Sequence, residues 1–276
     1  MIDYMQLLIL GAIAGFTIFL GFPVALADVS PRTKAFLNSL AIGILVFLVV
    51  DVFSHAWSSV TTSVTDSLLG HAPIASAIAM LITIFVGIAL GLIGLAYYEK
   101  RYMRSVAKTE TKLERSMAGK DGGEINRYKL ATMIAIGIGA HNLSEGLAIG
   151  QSYAAGVIGL AIILIIGFGV HNATEGFGIM GPLTGSKKKV PVGLLVKLGL
   201  IGGGPTFIGT LLGSIWVSPI LYVLFLSFAG GALVFVILLM YSVIIKQTSN
   251  SVITSGILLG LVFGFLTDLI VTIGGA

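Results

Sequence analysis

This sequence contains no cysteine and few charged residues. The absence of cysteine excludes disulfide frameworks, thiolate metal sites and cysteine nucleophiles. Charged residues make up only 10% of the 276 positions, whereas soluble domains carry about 25%. Hydrophobic residues reach 56%, and the mean hydropathy is +1.04. These values exclude an ordinary soluble domain and indicate that lipid is the solvent.

The hydrophobic residues fall into eight long runs. A helix needs about 20 mostly apolar residues to cross a bilayer. Such runs lie near 5–27, 34–58, 72–98, 128–150, 155–184, 190–215, 218–245 and 252–275. We therefore predict an all-α, polytopic membrane protein of about eight transmembrane helices, forming a single transmembrane domain over 1–276. The third and fifth runs are long, which indicates tilt or a kink.

The basic residues all lie in or beside alternate connections between these runs. All 16 follow the first, third, fifth or seventh run, and none lies in 57–73, 151–156 or 214–219. Because Lys and Arg are enriched in cytoplasmic loops, we predict a multi-pass protein of the cell membrane with both termini outside. This distribution accounts for the net charge of +4 without a nucleic-acid partner. The one long polar segment, about 99–129, is predicted to be a cytoplasmic linker.

Two neighbouring runs carry the same polar motif. The fourth run contains H-N-L-S-E-G from His141, and the fifth contains H-N-A-T-E-G from His171. An ionisable group inside a membrane helix costs about 2.5–3.5 kcal/mol for an Asp, so a repeated set indicates function. The Glu at i+4 lies one turn from the His and about 40° round the helix axis. Two antiparallel helices would then bring His141 level with Glu175, and Glu145 level with His171.

The repeated motif predicts a metal site near the middle of the membrane. At about 1.5 Å per residue, both levels lie roughly 18–24 Å from the flanking cytoplasmic charges. Imidazole nitrogens and carboxylate oxygens together suit Zn, Fe, Mn or Co. The predicted ligands are His141, Asn142, Glu145, His171, Asn172 and Glu175. The alternative is a structural polar zipper, in which each Glu hydrogen-bonds a His across the helix pair.

At these motifs the sequence resembles the Zrt/Irt-like protein (ZIP) family of metal transporters. Bacterial members typically show H-N-x-P-E-G followed by a related N-x-P-E-G motif. His141, Asn142 and Glu145 match the first motif, and Asn172 and Glu175 match the second. The resemblance implies eight spans, outside termini, a cytoplasmic loop after the third span, and a transport site for one or two ions on the fourth and fifth.

The sequence departs from the family pattern at four places, one of which is span seven, where Leu238 to Tyr241 include none of the usual acidic residues. Ser144 and Thr174 stand where the family has proline, so a kink in either helix must arise differently. Thr206 stands where the sixth span of the family often carries an acidic ligand. The resemblance therefore leaves open whether a second metal position exists and which metal is preferred.

Three further polar residues are predicted to lie toward the outer side. Asp51 and His55 are one helical turn apart near the outer end of the second run. They resemble the entrance or relay residues of the family, and a wetted helix end is the alternative. Asp268 on the eighth run is a weaker candidate of the same kind.

These observations predict a carrier that brings a divalent transition-metal ion into the cytoplasm. The ion, zinc or iron first and manganese or cobalt next, is the transported substrate, and no prosthetic cofactor or enzymatic activity is predicted. The expected partners are this ion and the lipid bilayer, with a homodimer as one option. A third reading is a metal sensor or a proton-linked carrier of another solute, and the main alternative is a membrane-embedded metal-dependent hydrolase. Both carboxylates of the motif are needed as ligands, however, and no separate general base is evident beside them.

Overall fold

The computed structural model describes residues 3–26, 30–101, 122–154, 156, 158–184, 190–215, 218–245 and 248–273. Within these ranges, the side chains of residues 24–26, 122–126, 158–161, 163–164, 167, 170–171, 174, 243 and 270–271 lie outside the description. The described chain is 93% helix and contains no strand. The predicted all-α class is therefore confirmed.

Eight helices follow one another along the described ranges. They are α1 (Tyr4–Phe16), α2 (Pro31–Leu68), α3 (Ile74–Arg101), α4 (Gly122–Ala154), α5 (Ile158–Met180), α6 (Val192–Ile215), α7 (Pro219–Ile244) and α8 (Asn250–Ile273). A 3-10 segment, Thr17–Leu26, continues α1, and a shorter one, Gly181–Leu183, follows α5. Each helix falls on one of the predicted apolar runs.

Six of these helices are long and apolar enough to cross a membrane by length and composition. They are α1 with part of its 3-10 continuation, α2, α3, α6, α7 and α8. The other two helices, α4 and α5, carry the repeated polar motif, and several of their residues lie outside the described side chains. The helices are thus compatible with a membrane protein.

Local side-chain chemistry sets several helix ends. Asp3 caps α1 by accepting hydrogen bonds from the backbone N–H groups of Met5 and Gln6. Ser30 caps α2 in the same way, through the N–H of Thr33 at 3.1 Å, and Pro31 occupies the first helical position. These caps satisfy N–H groups that have no partner inside the helix. Proline fits the first turn because no backbone N–H is needed there.

Helix α2 is longer than the sequence predicts. The run was expected to end near 58, with a loop over 57–73, but the helix continues to Leu68. The Ser and Thr residues that suggested a loop bond back to carbonyls of the preceding turn, as Ser59 does to His55 and Thr62 to Ser58. Because these hydroxyls are satisfied within the helix, their polarity does not end it.

Helix α3 is interrupted by a π-helical segment, Leu90–Gly94. The single wide turn accounts for the irregularity that the length of the third run indicated. The predicted linker over 99–129 is shorter at both ends, since α3 reaches Arg101 and α4 begins at Gly122. Residues 102–121 of that predicted linker lie outside the description.

The main apolar core lies where α2, α4 and α7 meet. Leu48, Ile134 and Leu233, one from each helix, are fully buried there. The most extensive contact between two helices joins α4 to α6. A Cβ built on Gly146 of α4 would overlap the Thr206 carbonyl oxygen, and one on Gly209 of α6 would overlap that of Leu143. Glycines on both helices therefore allow their backbones to touch, as in other membrane helix pairs.

Candidate functional site

The site is built on α4 and α5, which are joined by a short connection that includes Gly156. Gly156 adopts a positive φ of 77°, a conformation that glycine takes without strain. The connection reverses the chain, so the two helices run antiparallel and pack together. This geometry places the motif of α4 beside the motif of α5.

His141 lies between two carboxylates. Its Nε2 is 3.2 Å from Oε1 of Glu145 on the same helix and 3.9 Å from Oε1 of Glu175 on α5. All three residues are buried, with Glu175 at 0% exposure. The structure therefore brings His141 and Glu175 to one level, as the antiparallel spacing predicts. Burying ionisable groups together is costly unless charge is balanced among them.

The distances from His141 to the two carboxylates can be compared with the spacing of ligand atoms around a metal ion. Two ligand atoms at about 2.1 Å from a tetrahedral metal ion lie about 3.4 Å apart. The His141–Glu145 and His141–Glu175 separations, 3.2 and 3.9 Å, lie on either side of that value. A direct hydrogen bond needs about 3.2 Å or less. The distance of 3.9 Å between His141 and Glu175 is thus too long for the direct hydrogen bond that a polar zipper needs.

The two asparagines tie the motif helices to other parts of the bundle. Asn142 donates from Nδ2 to the carbonyl oxygen of Gly202 on α6 at 3.0 Å. Asn172 donates from Nδ2 to the carbonyl oxygen of Ala14 on α1 at 2.8 Å. Both asparagines are fully buried. Because the end of each amide that faces a backbone carbonyl must be the NH₂ group, the other end must be the oxygen Oδ1.

The oxygen end of each amide has no donor among the residues that the structure describes. Asn142 Oδ1 and Asn172 Oδ1 are buried, and neither accepts a hydrogen bond within the described part of the chain. A buried acceptor without a donor costs about 1–3 kcal/mol. An amide oxygen is also an acceptable ligand for a cation with hard or borderline character. Both oxygens therefore have the chemistry of a cation ligand.

The structure does not describe the side chains of His171, a predicted ligand, and of Thr174 in the same motif. The backbone of both residues lies in α5. Among the described His, Asp and Glu residues, no three form a group arranged to hold a metal ion by themselves. That Glu145 and His171 lie at the same depth in the bundle stays a prediction. The binding of a metal ion by all six predicted ligands also stays a prediction. Ser144, the counterpart of Thr174, donates to the carbonyl oxygen of His141 at 2.5 Å.

Thr206 lies in the interior of α6, as expected for a residue that faces the site helices. It is fully buried, and its Oγ1 has no partner among the residues that the structure describes. Its carbonyl oxygen accepts from Thr210 Oγ1 at 2.8 Å. The hydroxyl is thus a further uncommitted oxygen in the α4–α6 contact.

The predicted relay residues lie beside the buried site. His55 Nε2 is 3.5 Å from Asp51 Oδ1, and their side chains are 62% and 25% exposed. Asp51 is close enough to act electrostatically on both His55 and His141, and Asp268 acts on His55. The pair was expected near the outer end of the second run. Because α2 continues to Leu68, more than three further turns extend beyond His55.

Sequence reasoning missed the backbone partners of the asparagines. Nothing in the motif indicates that α1 and α6 supply the accepting carbonyls. A usable signal was present in the glycine spacing, since Gly11 and Gly15 of α1 and Gly209 and Gly213 of α6 are each four apart. Pairs of small residues at this spacing mark close helix contacts.

Comparisons with known proteins do not place the chain in a family: no protein-family model matches it, and no curated protein matches it. The class is therefore defined by fold and site alone. It is an all-helical chain, compatible with a membrane protein, that encloses a His/Glu/Asn cluster within the bundle.

Proposed function

We propose that this chain is a divalent transition-metal transporter of the ZIP type, carrying zinc or a related ion into the cytoplasm. The single observation that carries the proposal is the buried convergence of His141, Glu145 and Glu175 from two antiparallel helices. Two carboxylates and neutral imidazole match the charge and ligand preference of a divalent ion. In an apolar bundle, such a set is most simply explained as a substrate site.

The asparagines support the same proposal. Each holds its helix against a neighbour through Nδ2 and leaves Oδ1 without a donor in the described part of the structure. Asn142 and Asn172 would add oxygen ligands to the ion, and His171 would complete the set from α5. Because the Nδ2 contacts reach α6 and α1, filling the site would be coupled to the packing of both helices.

The proposed topology has eight spans with both termini outside the cell membrane. Six helices are apolar enough to cross by composition, and α4 and α5 are added because their polar residues face a site inside the bundle. The basic residues lie on alternate connections, which are proposed to be cytoplasmic. Alternating exposure of a site near the midplane would then move the ion across.

Metal uptake into sealed proteoliposomes tests the function. Vesicles containing the purified chain and an enclosed zinc- and iron-sensitive dye are challenged with external metal. The native chain is expected to give saturable uptake. Glu145→Ala, His171→Ala and Glu175→Gln should each reduce uptake by at least about 10-fold, because each removes a proposed ligand.

Two matched variants control for the loss of a His or a carboxylate elsewhere. His71→Ala changes an exposed histidine between α2 and α3, and Asp66→Asn changes a carboxylate near the end of α2. Both should transport like the native chain. Folded native protein that binds metal but moves none would contradict the carrier proposal. Metal-dependent turnover of a lipid or peptide in detergent would instead support the hydrolase alternative, which needs no sealed compartment.

A further inference from the structure

A crevice separate from the His/Glu/Asn cluster opens among the ends of three helices. It has a volume of about 320 Å³ and is lined by residues of α3, α4 and α6. Its polar lining consists of Lys129 and Lys197 with Tyr98, Tyr128 and Thr132. No acidic residue of the described chain lines it. Two lysines and two tyrosines therefore line one space, and ammonium groups with phenolic hydroxyls are groups that bind anions.

The apolar lining of the crevice leads away from the charged end. Along α4, Tyr128 and Lys129 are followed on the same side by Met133 and then by Ile136, which also line it. The step from Lys129 to Ile136 is about 10 Å along the helix axis. Leu194 of α6 lines the crevice one turn before Lys197. The lining along α4 thus changes from cationic and aromatic to aliphatic, while on α6 the aliphatic Leu194 lies nearer the helix start than Lys197.

The level of the crevice matches a membrane surface. Tyr97 and Tyr98 near the end of α3 are 62% and 49% exposed, and Arg101 donates from Nη1 to the Tyr97 hydroxyl at 3.4 Å. Exposed Tyr residues beside Lys and Arg are typical of the headgroup level of a bilayer. At that level, a basic crevice between helices meets phospholipid headgroups rather than open solvent.

We propose that this crevice is a binding site for an anionic phospholipid. The phosphate would lie between the Lys129 and Lys197 ammonium groups with the tyrosine hydroxyls donating to it, and one acyl chain would lie along Met133 and Ile136. The proposal is independent of metal transport, since none of these residues belongs to the His/Glu/Asn cluster. Its position beside the α4–α6 contact would let bound lipid stabilise the helices that carry His141 and Thr206.

Lipid binding to the full chain tests this site directly. The protein is delipidated in a neutral detergent and titrated with phosphatidylglycerol or with phosphatidylcholine of the same acyl chains, and bound lipid is counted by native mass spectrometry. The native chain should prefer phosphatidylglycerol. Removing one lysine should weaken its binding about fivefold, and Lys129→Gln with Lys197→Gln about 30-fold, at roughly 1 kcal/mol for each basic residue.

A second crevice supplies the matched control. It lies between α2 and α8 and is lined by one basic residue, Arg32, with Thr33, Phe36 and serine hydroxyls. Arg32→Gln with Lys34→Gln removes the same charge from the same predicted side of the membrane. This double variant should keep the native preference for phosphatidylglycerol, and both double variants should stay monodisperse with native melting temperatures.

Three outcomes would overturn the proposal. Unchanged phosphatidylglycerol binding in the Lys129/Lys197 double variant would remove the site. An equal loss in the Arg32/Lys34 double variant would show a general effect of surface charge. Displacement of the lipid by inorganic phosphate or by acyl-free glycerophosphoglycerol at equal concentration would show a free-phosphate site instead.

Discussion

Each asparagine of the repeated motif uses the two ends of its amide differently. The Nδ2 of Asn142 donates to the Gly202 carbonyl, and that of Asn172 donates to the Ala14 carbonyl. Both Oδ1 atoms are buried, and each asparagine directly follows the histidine of its motif. A residue that serves only to hold helices together would satisfy both ends inside the bundle. The asymmetry supports the proposed role of each oxygen as a ligand of the transported ion.

Substituting Asn142 separates these two uses. Asn142→Leu removes the donor and the oxygen, so it should lower stability by about 1 kcal/mol, typical of one interhelical hydrogen bond in a membrane protein. Metal uptake by the folded protein should fall by about 10–100-fold, as for a residue that supports a metal shell. Thermal unfolding in detergent and uptake in proteoliposomes measure the two effects.

The conservative change Asn142→Asp provides the comparison. It keeps a side-chain oxygen at the site but removes the NH₂ group that donates to the Gly202 carbonyl. The protein should therefore lose about as much stability as with Asn142→Leu, and its metal uptake should be higher than that of Asn142→Leu. Equal uptake in both variants, after correction for folded protein, would show that Asn142 acts only as a helix contact.

Helix α6 packs on α1 and on α4 through direct backbone contact. Its Gly203 meets Gly15 of α1, where a Cβ on either glycine would overlap the other's carbonyl oxygen. Pro205, inside the same helix, has no N–H to bond to the Ile201 carbonyl. That carbonyl lies against Gly139 of α4, two residues before His141. Contacts that leave no space for a Cβ therefore set how close α1 and α4 lie to α6.

Two adjacent glycines of α6 give a sharp test of this packing. Gly203→Ala introduces a Cβ into the backbone of α1 and should destabilise the protein by about 1–3 kcal/mol, the usual cost of overpacking. Gly204→Ala adds the same methyl group where nothing lies within 4 Å. It should leave stability unchanged or raise it by up to about 1 kcal/mol, because alanine is the better helix former.

Melting temperatures of the two variants in the same detergent provide the measurement. Similar melting temperatures for Gly203→Ala and Gly204→Ala would contradict the close approach of α1 to α6. Reduced metal uptake by the folded Gly203→Ala protein would further show that this helix contact helps to position the site.

Across the whole molecule, the distribution of charge is the feature that orients the chain. Basic residues gather at the connections after α1, α3, α5 and α7, and the opposite connections contain none. The described helices meet in one apolar core, where α2 contacts α3, α7 and α8 and α4 contacts α5, α6 and α7. The proposed orientation therefore makes a prediction for every connection.

The absence of cysteine makes that prediction simple to test. Single cysteines at exposed positions are labelled in intact cells with a membrane-impermeant maleimide. His71→Cys, in the α2–α3 connection, and Ala154→Cys, at the last residue of α4, should react from outside. Pro191→Cys and Ser249→Cys, before α6 and α8, should react only after permeabilisation. Labelling of the second pair in intact cells would reverse the proposed topology.

Much of the architecture was predictable because it depends on local chain properties. The length of an apolar run determines whether a helix can cross a bilayer, and the helical period determines that His141 and Glu145 share one side. Antiparallel neighbours joined by a short connection then bring Glu175 to the level of His141, which the structure bears out at 3.9 Å. The end of α2 was predicted too early, because hydroxyl-to-carbonyl bonds inside the helix cannot be told from loop polarity by composition.

By itself, the sequence determined the helices, their order and the repeated motif, since each follows from residues close together in the chain. Only the tertiary structure decided which helices surround the motif, because contacts between distant helices depend on shape rather than on periodicity. The bonds from Asn142 to α6 and from Asn172 to α1 join residues 60 and 158 positions apart. These bonds exist because glycines let the backbones approach, and the same packing leaves the asparagine oxygens buried and without a donor among the described residues.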